Sequence, residues 1–244
     1  MRKRYKISLI MKTLFSFLFI IIYSSVSLGQ EINQFDINGK RHGVWKKYFE
    51  DTEVIRYEGQ FNHGKEVGLF KFYKHIKNKP VLSATKLFSE NDTVTEVKFL
   101  ASNGKVISEG RMDGKIYIGT WKYYQKNSDM LLTVENYNDN GELIGERLVY
   151  YPNGQIAEKR HYTQGKLEGP ANWYSVKNVL LKEMIYVDGE LHGPAKFYNP
   201  KGELVSEGQY KRDKKDGVWK YYEAGKLVNE KDFTYIPKYI KKTP

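Results

Sequence analysis

"HGVWKKY" at residues 42–48, "IGTWKYY" at 118–124 and "DGVWKYY" at 216–222 are nearly the same seven letters written three times in one chain. Each has a glycine at its second place, an indole two places after that glycine and a tyrosine five places after it. With the glycine as anchor, equivalents stand at Gly43, Gly68, Gly119, Gly145, Gly169, Gly193 and Gly217. The anchors recur every 24 to 26 residues, except for one double interval of 51 in which Val94 takes the glycine's place. A fixed period of this size belongs to a repeat architecture: one unit is too small to bury its apolar face, and stacked neighbours supply the core. Eight such units cover residues 36–233.

Five residues after every anchor stands an aromatic: Tyr48, Tyr73, Phe99, Tyr124, Tyr150, Tyr174, Tyr198 and Tyr222. This column is expected to be structural. Two residues after the anchors come Trp45, Phe70, Trp121 and Trp219, but Arg147, Ala171 and Ala195 in three of the later units. In two of those, Trp173 and Phe197 carry the bulk two places along, which is the same face of a strand. A second glycine lies four residues before most anchors (Gly39, Gly64, Gly141, Gly165, Gly189), and "YPNG" at 151–154 and "NPKG" at 199–202 mark mid-unit turns. The anchor glycines are themselves expected to close the short turns, being free to take positive φ. Each unit then reads strand, turn, strand, turn. The expected fold is all-β: an elongated, single-layer antiparallel meander of about sixteen strands, built from tandem hairpins of about 24 residues.

A charge pattern supports the pairing. Glutamate ten residues before an anchor and lysine three after it recur as Glu58/Lys71, Glu109/Lys122, Glu183/Lys196 and Glu207/Lys220, always thirteen apart. Folding the hairpin sets the two opposite each other, where opposite charges contribute about 0.2–1 kcal/mol per pair.

The segment before the repeats is of another kind. "MRKRYK" precedes "MKTLFSFLFIIIYSSVSLG", with an apolar run from Leu14 to Tyr23 and small residues Ser27 and Gly29 at the places a signal peptidase reads. The run is shorter than the roughly 20 residues of a membrane span, so residues 1–29 read as a signal peptide. Residues 30–35 are a short lead and 234–244 a C-terminal tail. The leader holds five basic residues and no acid, so its removal lowers the formal net charge from +11 to +6. That mild excess, with export, argues against nucleic acid as a partner. The sequence has no cysteine, which excludes thiol nucleophiles and thiolate metal sites.

The Gly-x-Trp-x-x-Tyr strand, with the turns "GKLEGPANWY" and "GELHGPAKFY", resembles MORN-type repeats in their bacterial variant form. The resemblance spans nearly all of the chain after residue 30, with "KHIKNKPVLSATKLFSENDTVTEVK" at 74–98 departing from it. It implies an elongated twisted sheet of hairpins. It also implies a role in protein scaffolding or in membrane and phospholipid binding. Bacterial relatives are often labelled YwqK-type antitoxins, immunity-like proteins that bind a toxin, a label at odds with an export signal.

No catalytic motif, phosphate loop or dinucleotide fingerprint is present, and the carboxylates that recur do so once per unit, as structural residues do. "NYNDNGELIGER" at 136–147 imitates a calcium loop but ends on Arg147 where a bidentate glutamate is required. His42 and His192 share one repeat position and would lie far apart. The sequence therefore predicts a non-enzymatic module with no metal or cofactor, exported to the periplasm, outer-membrane surface or extracellular space. It would bind another protein through the bulky column Trp45, Phe70, Trp121, Trp173, Phe197 and Trp219. An anionic lipid surface and end-to-end self-association are the further partners expected.

Overall fold

A computed structural model describes residues 31–235. The expected leader at 1–29 and most of the tail lie outside the described residues. Strands occupy Gln34–Phe35 (β1), Arg41–Tyr48 (β2), Ile55–Asn62 (β3), Lys65–Ile76 (β4), Lys79–Phe88 (β5) and Val94–Leu100 (β6). They continue at Val106–Asp113 (β7), Ile116–Tyr124 (β8), Leu131–Tyr137 (β9), Gly145–Tyr150 (β10), Ile156–Thr163 (β11) and Lys166–Tyr174 (β12). Leu180–Val187 (β13), Glu190–Tyr198 (β14), Leu204–Lys211 (β15), Lys214–Glu223 (β16) and Lys226–Asp232 (β17) complete the order.

Each strand pairs antiparallel with the one before it and the one after it, so the seventeen form one open meander. At about 4.8 Å per strand its contour runs for about 75 Å. The all-β hairpin architecture expected from the repeat is the one found.

The turns differ from expectation in one respect. His63–Gly64, Gln164–Gly165 and Asp188–Gly189 are among the two-residue turns that have both members at positive φ, as a type I′ hairpin requires. The anchor glycines do not close turns. Gly68, Gly119, Gly169, Gly193 and Gly217 lie inside strands, still at positive φ. There the register jumps: Glu58 faces Lys71 and Gln60 faces Val67, so Gly59 alone spans residues 68–70. The same jump recurs opposite Gly110 and Gly208. The motif glycine therefore serves a bulge, which sharpens local twist. Where Val94 replaces it, β5 pairs β6 without any shift. A second set of shifts sits at the aromatic column, between Phe72 and Tyr73 and between Tyr221 and Tyr222 among others.

A sheet one layer thick must find its core on its own surface. Here three large rings, Phe70, Trp121 and Trp219, lie across a glycine of the neighbouring strand. A Cβ on Gly59, Gly110 or Gly208 would come within 2.4 Å of Phe70, Trp121 or Trp219 respectively. These three glycines stand nine residues before their anchors. Where that place is large, as in Arg160 and Met184, the facing residue two after the anchor is Ala171 or Ala195. Large meets small across these five hairpins, which keeps the face filled there. Two clusters form the core, Val97–Met112–Trp121 and Met184–Ala195–Trp219, each ringed by partly covered aromatics.

Candidate functional site

The two faces of the sheet are chemically distinct. One carries the charge pattern seen in the sequence, with all four expected Glu/Lys pairs as direct cross-strand partners. The pairing extends beyond single hairpins. Lys46–Glu58–Lys71 runs over β2 to β4, Lys98–Glu109–Lys122 over β6 to β8, and Glu183–Lys196–Glu207–Lys220–Glu230 over β13 to β17.

Direct ion contacts are fewer than the register alone suggested. Lys71 Nζ lies 3.4 Å from Glu58, and Glu109 takes Lys98 at 3.0 Å rather than Lys122. For three of the four glutamates the closer partner is the structural aromatic column. The hydroxyls of Tyr73, Tyr124 and Tyr222 donate to Glu58, Glu109 and Glu207 at 2.8, 2.5 and 2.7 Å. These bonds, with the nearby lysines, hold the Glu58 and Glu109 carboxyls below their ordinary pKa, while burial and the carboxylate push Tyr73 and Tyr124 up to about 12. The column of rings is thus partly a column of hydrogen-bond donors, which its description as packing had missed.

The other face holds the bulky column, and there the expectation for docking needs correction. Phe70 is 2% exposed, and Trp121 and Trp219 are 0% exposed. A ring that no solvent reaches cannot meet a partner. The indoles of Trp121 and Trp219 donate instead to the carbonyls of Arg111 and Gln209, at 2.9 and 3.0 Å, next to the glycines they cover. Trp45, Trp173 and Phe197 are only half-buried and keep a surface to offer.

Cations lie among the rings of this face. Arg41 sits 5.3 Å from the Trp45 ring centre, Lys182 4.4 Å from Trp173, and Lys215 3.8 Å from Trp219. Midway along the face, between the two apolar clusters, the ring row gives way to a charge network. Arg147 and Arg160 are direct cross-strand partners, a repulsive placement that two glutamates resolve. Arg147 Nε donates to Glu135 at 2.8 Å and its Nη1 to Glu158 at 3.2 Å. Arg160 Nη2 and Trp173 Nε1 both donate to Glu158 Oε2, at 2.8 and 2.9 Å, and the Tyr137 hydroxyl donates to Glu135 at 2.7 Å. The four ionic side chains are 13 to 29% exposed. The sequence carried one signal of this site: Arg147 is the only charged residue two places after an anchor glycine.

Two smaller readings resolve locally. His42 stacks on His63 at 4.7 Å rather than near His192, and His63 Nδ1 lies 2.6 Å from Asp36 Oδ2. That contact, with the backbone N–H groups of Lys40 and Asn38, brings Asp36 down to about 2. The calcium-like stretch is a turn in which Asn138 Oδ1 accepts from the backbone of Asn140 and Glu142.

A one-layer sheet of tandem bulged hairpins, its rings laid on its own backbone, defines a class of protein: the β-hairpin repeat module. The family model described as MORN repeat variant matches residues 143–164 and 191–212, which are β10–β11 and nearly all of β14–β15. Those two hairpins are similar to MORN repeats, a likeness that supports a repeat module for protein or membrane interaction. A search of curated proteins gave no match.

Proposed function

We propose that the chain is an exported, non-enzymatic adaptor that binds another protein through its ring face. The observation that supports this most directly is the contrast between the faces. One engages Glu58, Glu109 and Glu207 with its own tyrosines and lines up its lysines and glutamates as cross-strand neighbours. The other leaves Trp45, Trp173 and Phe197 partly exposed, with Arg41 over Trp45 and Lys182 over Trp173. Aromatic side chains and arginine are enriched at protein interfaces. The leader-like residues 1–29 support placement in the periplasm, at the outer-membrane surface or outside a bacterial cell. A peripheral lipid-binding role is the second reading, favoured by the lysines of the ring face.

The test is a pull-down from cross-linked cell envelopes with the full chain tagged at its C-terminus, identifying proteins and lipids and sequencing the bait's N-terminus. One protein recovered in near-equal amount, with the bait starting at Gln30, is the expected result. Lipid alone would move the function to the membrane. An uncut N-terminus with a cytosolic toxin bound would revive the antitoxin label and end the export reading.

A further inference from the structure

The ring face narrows the chemistry of its partner. Each tryptophan on it is roofed by another side chain of the same protein. Arg41 covers Trp45, Lys182 covers Trp173 and Lys215 covers Trp219, while Tyr117 stacks on Trp121 at 3.8 Å and 9°. A sugar ring or a nucleobase needs a bare π-face to stack on, and these faces are taken. What an arriving partner meets is positive charge held over apolar rings. Carboxylates interleaved with apolar side chains match that surface.

The shape of the face adds a second constraint. Neighbouring strands rotate by about 20°, and bulges increase the rotation. Over sixteen strand-to-strand steps the face turns by on the order of a full circle. A flat bilayer could touch only a few strands of it at once. A flexible chain can follow it. The network at the centre supplies the third constraint. Glu135 and Glu158 already neutralise Arg147 and Arg160, so the middle of the face makes no demand for an anion. The demand lies on either side, at Arg41 and at Lys182 with Lys215.

We propose that the ring face binds an extended acidic polypeptide segment, whose carboxylates meet Arg41 on one arm and Lys182 and Lys215 on the other. This rests on the protein-binding reading given above and specifies its partner.

A random-peptide display library selected against the immobilised full chain tests it, with anionic phosphatidylglycerol vesicles and heparin as parallel probes. Enriched peptides should carry net negative charge. For one of them, the triple variant Arg41→Gln, Lys182→Gln, Lys215→Gln should raise Kd at least tenfold. The glutamines keep aliphatic stems over the rings, and circular dichroism should show the parent fold. The matched triple on the ladder face, Lys46→Gln, Lys122→Gln, Lys220→Gln, should change Kd less than twofold. Enrichment of basic or uncharged peptides, or equal loss from both triples, would overturn the proposal. So would vesicle or heparin binding with no peptide enriched. If the envelope pull-down yields a protein whose contact segment is not acidic, the adaptor reading survives and this specification of it fails.

Discussion

Glu158 accepts from Arg147, Arg160 and Trp173 at once, and that triple duty makes it the most exposed to substitution among the carboxylates. Glu158→Ala would leave two arginines facing each other across paired strands with one glutamate between them. Breaking a buried ion network costs about 3–5 kcal/mol. This network is partly solvated, so a loss of about 3 kcal/mol is expected, read as a lower urea midpoint. Arg160→Met in the Glu158→Ala background should recover part of it. The tyrosine-bonded glutamates set a pH dependence. Glu58 and Glu109 are held below their ordinary pKa in the folded chain, first by Tyr73 and Tyr124, so the unfolded chain binds protons first as pH falls. Their stabilisation is therefore present above about pH 4.3, the unfolded value, and is lost as pH drops through the folded values. Melting temperature measured from pH 6 to pH 3 should fall, and Glu58→Gln with Glu109→Gln should flatten that fall.

Within one hairpin, the exchange of large for small is the rule that can be rewritten. Trp219→Ala alone should cost about 3–5 kcal/mol, as ring deletions from cores do. Adding Gly208→Met copies the arrangement at Met184 and Ala195 and should return at least half of the loss in a denaturation series. Gly208→Met alone should destabilise by about 1–3 kcal/mol, because its Cβ would collide with the Trp219 ring. The ladder behaves otherwise. Glu207 faces Lys196 as well as Lys220, and Lys220 faces Glu230 as well as Glu207. Swapping the charges of Glu207 and Lys220 would mend their own pair and create two new repulsions, so a hairpin-by-hairpin account predicts a rescue that the continuous stripe denies.

How much of this was legible beforehand follows from the same details. Period, turns and the Glu/Lys register can be read from spacing because each is a fixed offset along the chain. The bulge could not be, since a positive-φ glycine reads alike in a turn and inside a strand. Burial of Phe70, Trp121 and Trp219 was hidden for a different reason. It depends on Gly59, Gly110 and Gly208, glycines outside the motif whose meaning appears only when strands are set side by side. Arg147 was visible as the odd member of its column, but Glu135, Glu158 and Arg160 join it only through register.

In the whole molecule the two ends are unequal. At the N-terminal edge β1 pairs with β2, Asn33 N–H donates to Val44 and the Asn33 side chain accepts from Lys46. At the other edge every residue of β17 is exposed, with Phe233 folded onto Trp219 and the mixed charges of the strand guarding it against stray pairing. Amide exchange should therefore proceed from the C-terminal end, β17 first and β16 next, with β2 slower than β17. Equal rates at the two edges would mean that the N-terminal plug contributes nothing.

The meander also fixes how the molecule would bear a load. Each strand is bonded to its immediate predecessor and successor in the sequence, so traction on the two termini acts along the hydrogen-bonding direction. Bonds then open one after another, as in a zipper, and not all together as in a sheared sheet. A tether built this way would pay out length in hairpin-sized steps at low force, yielding instead of snapping.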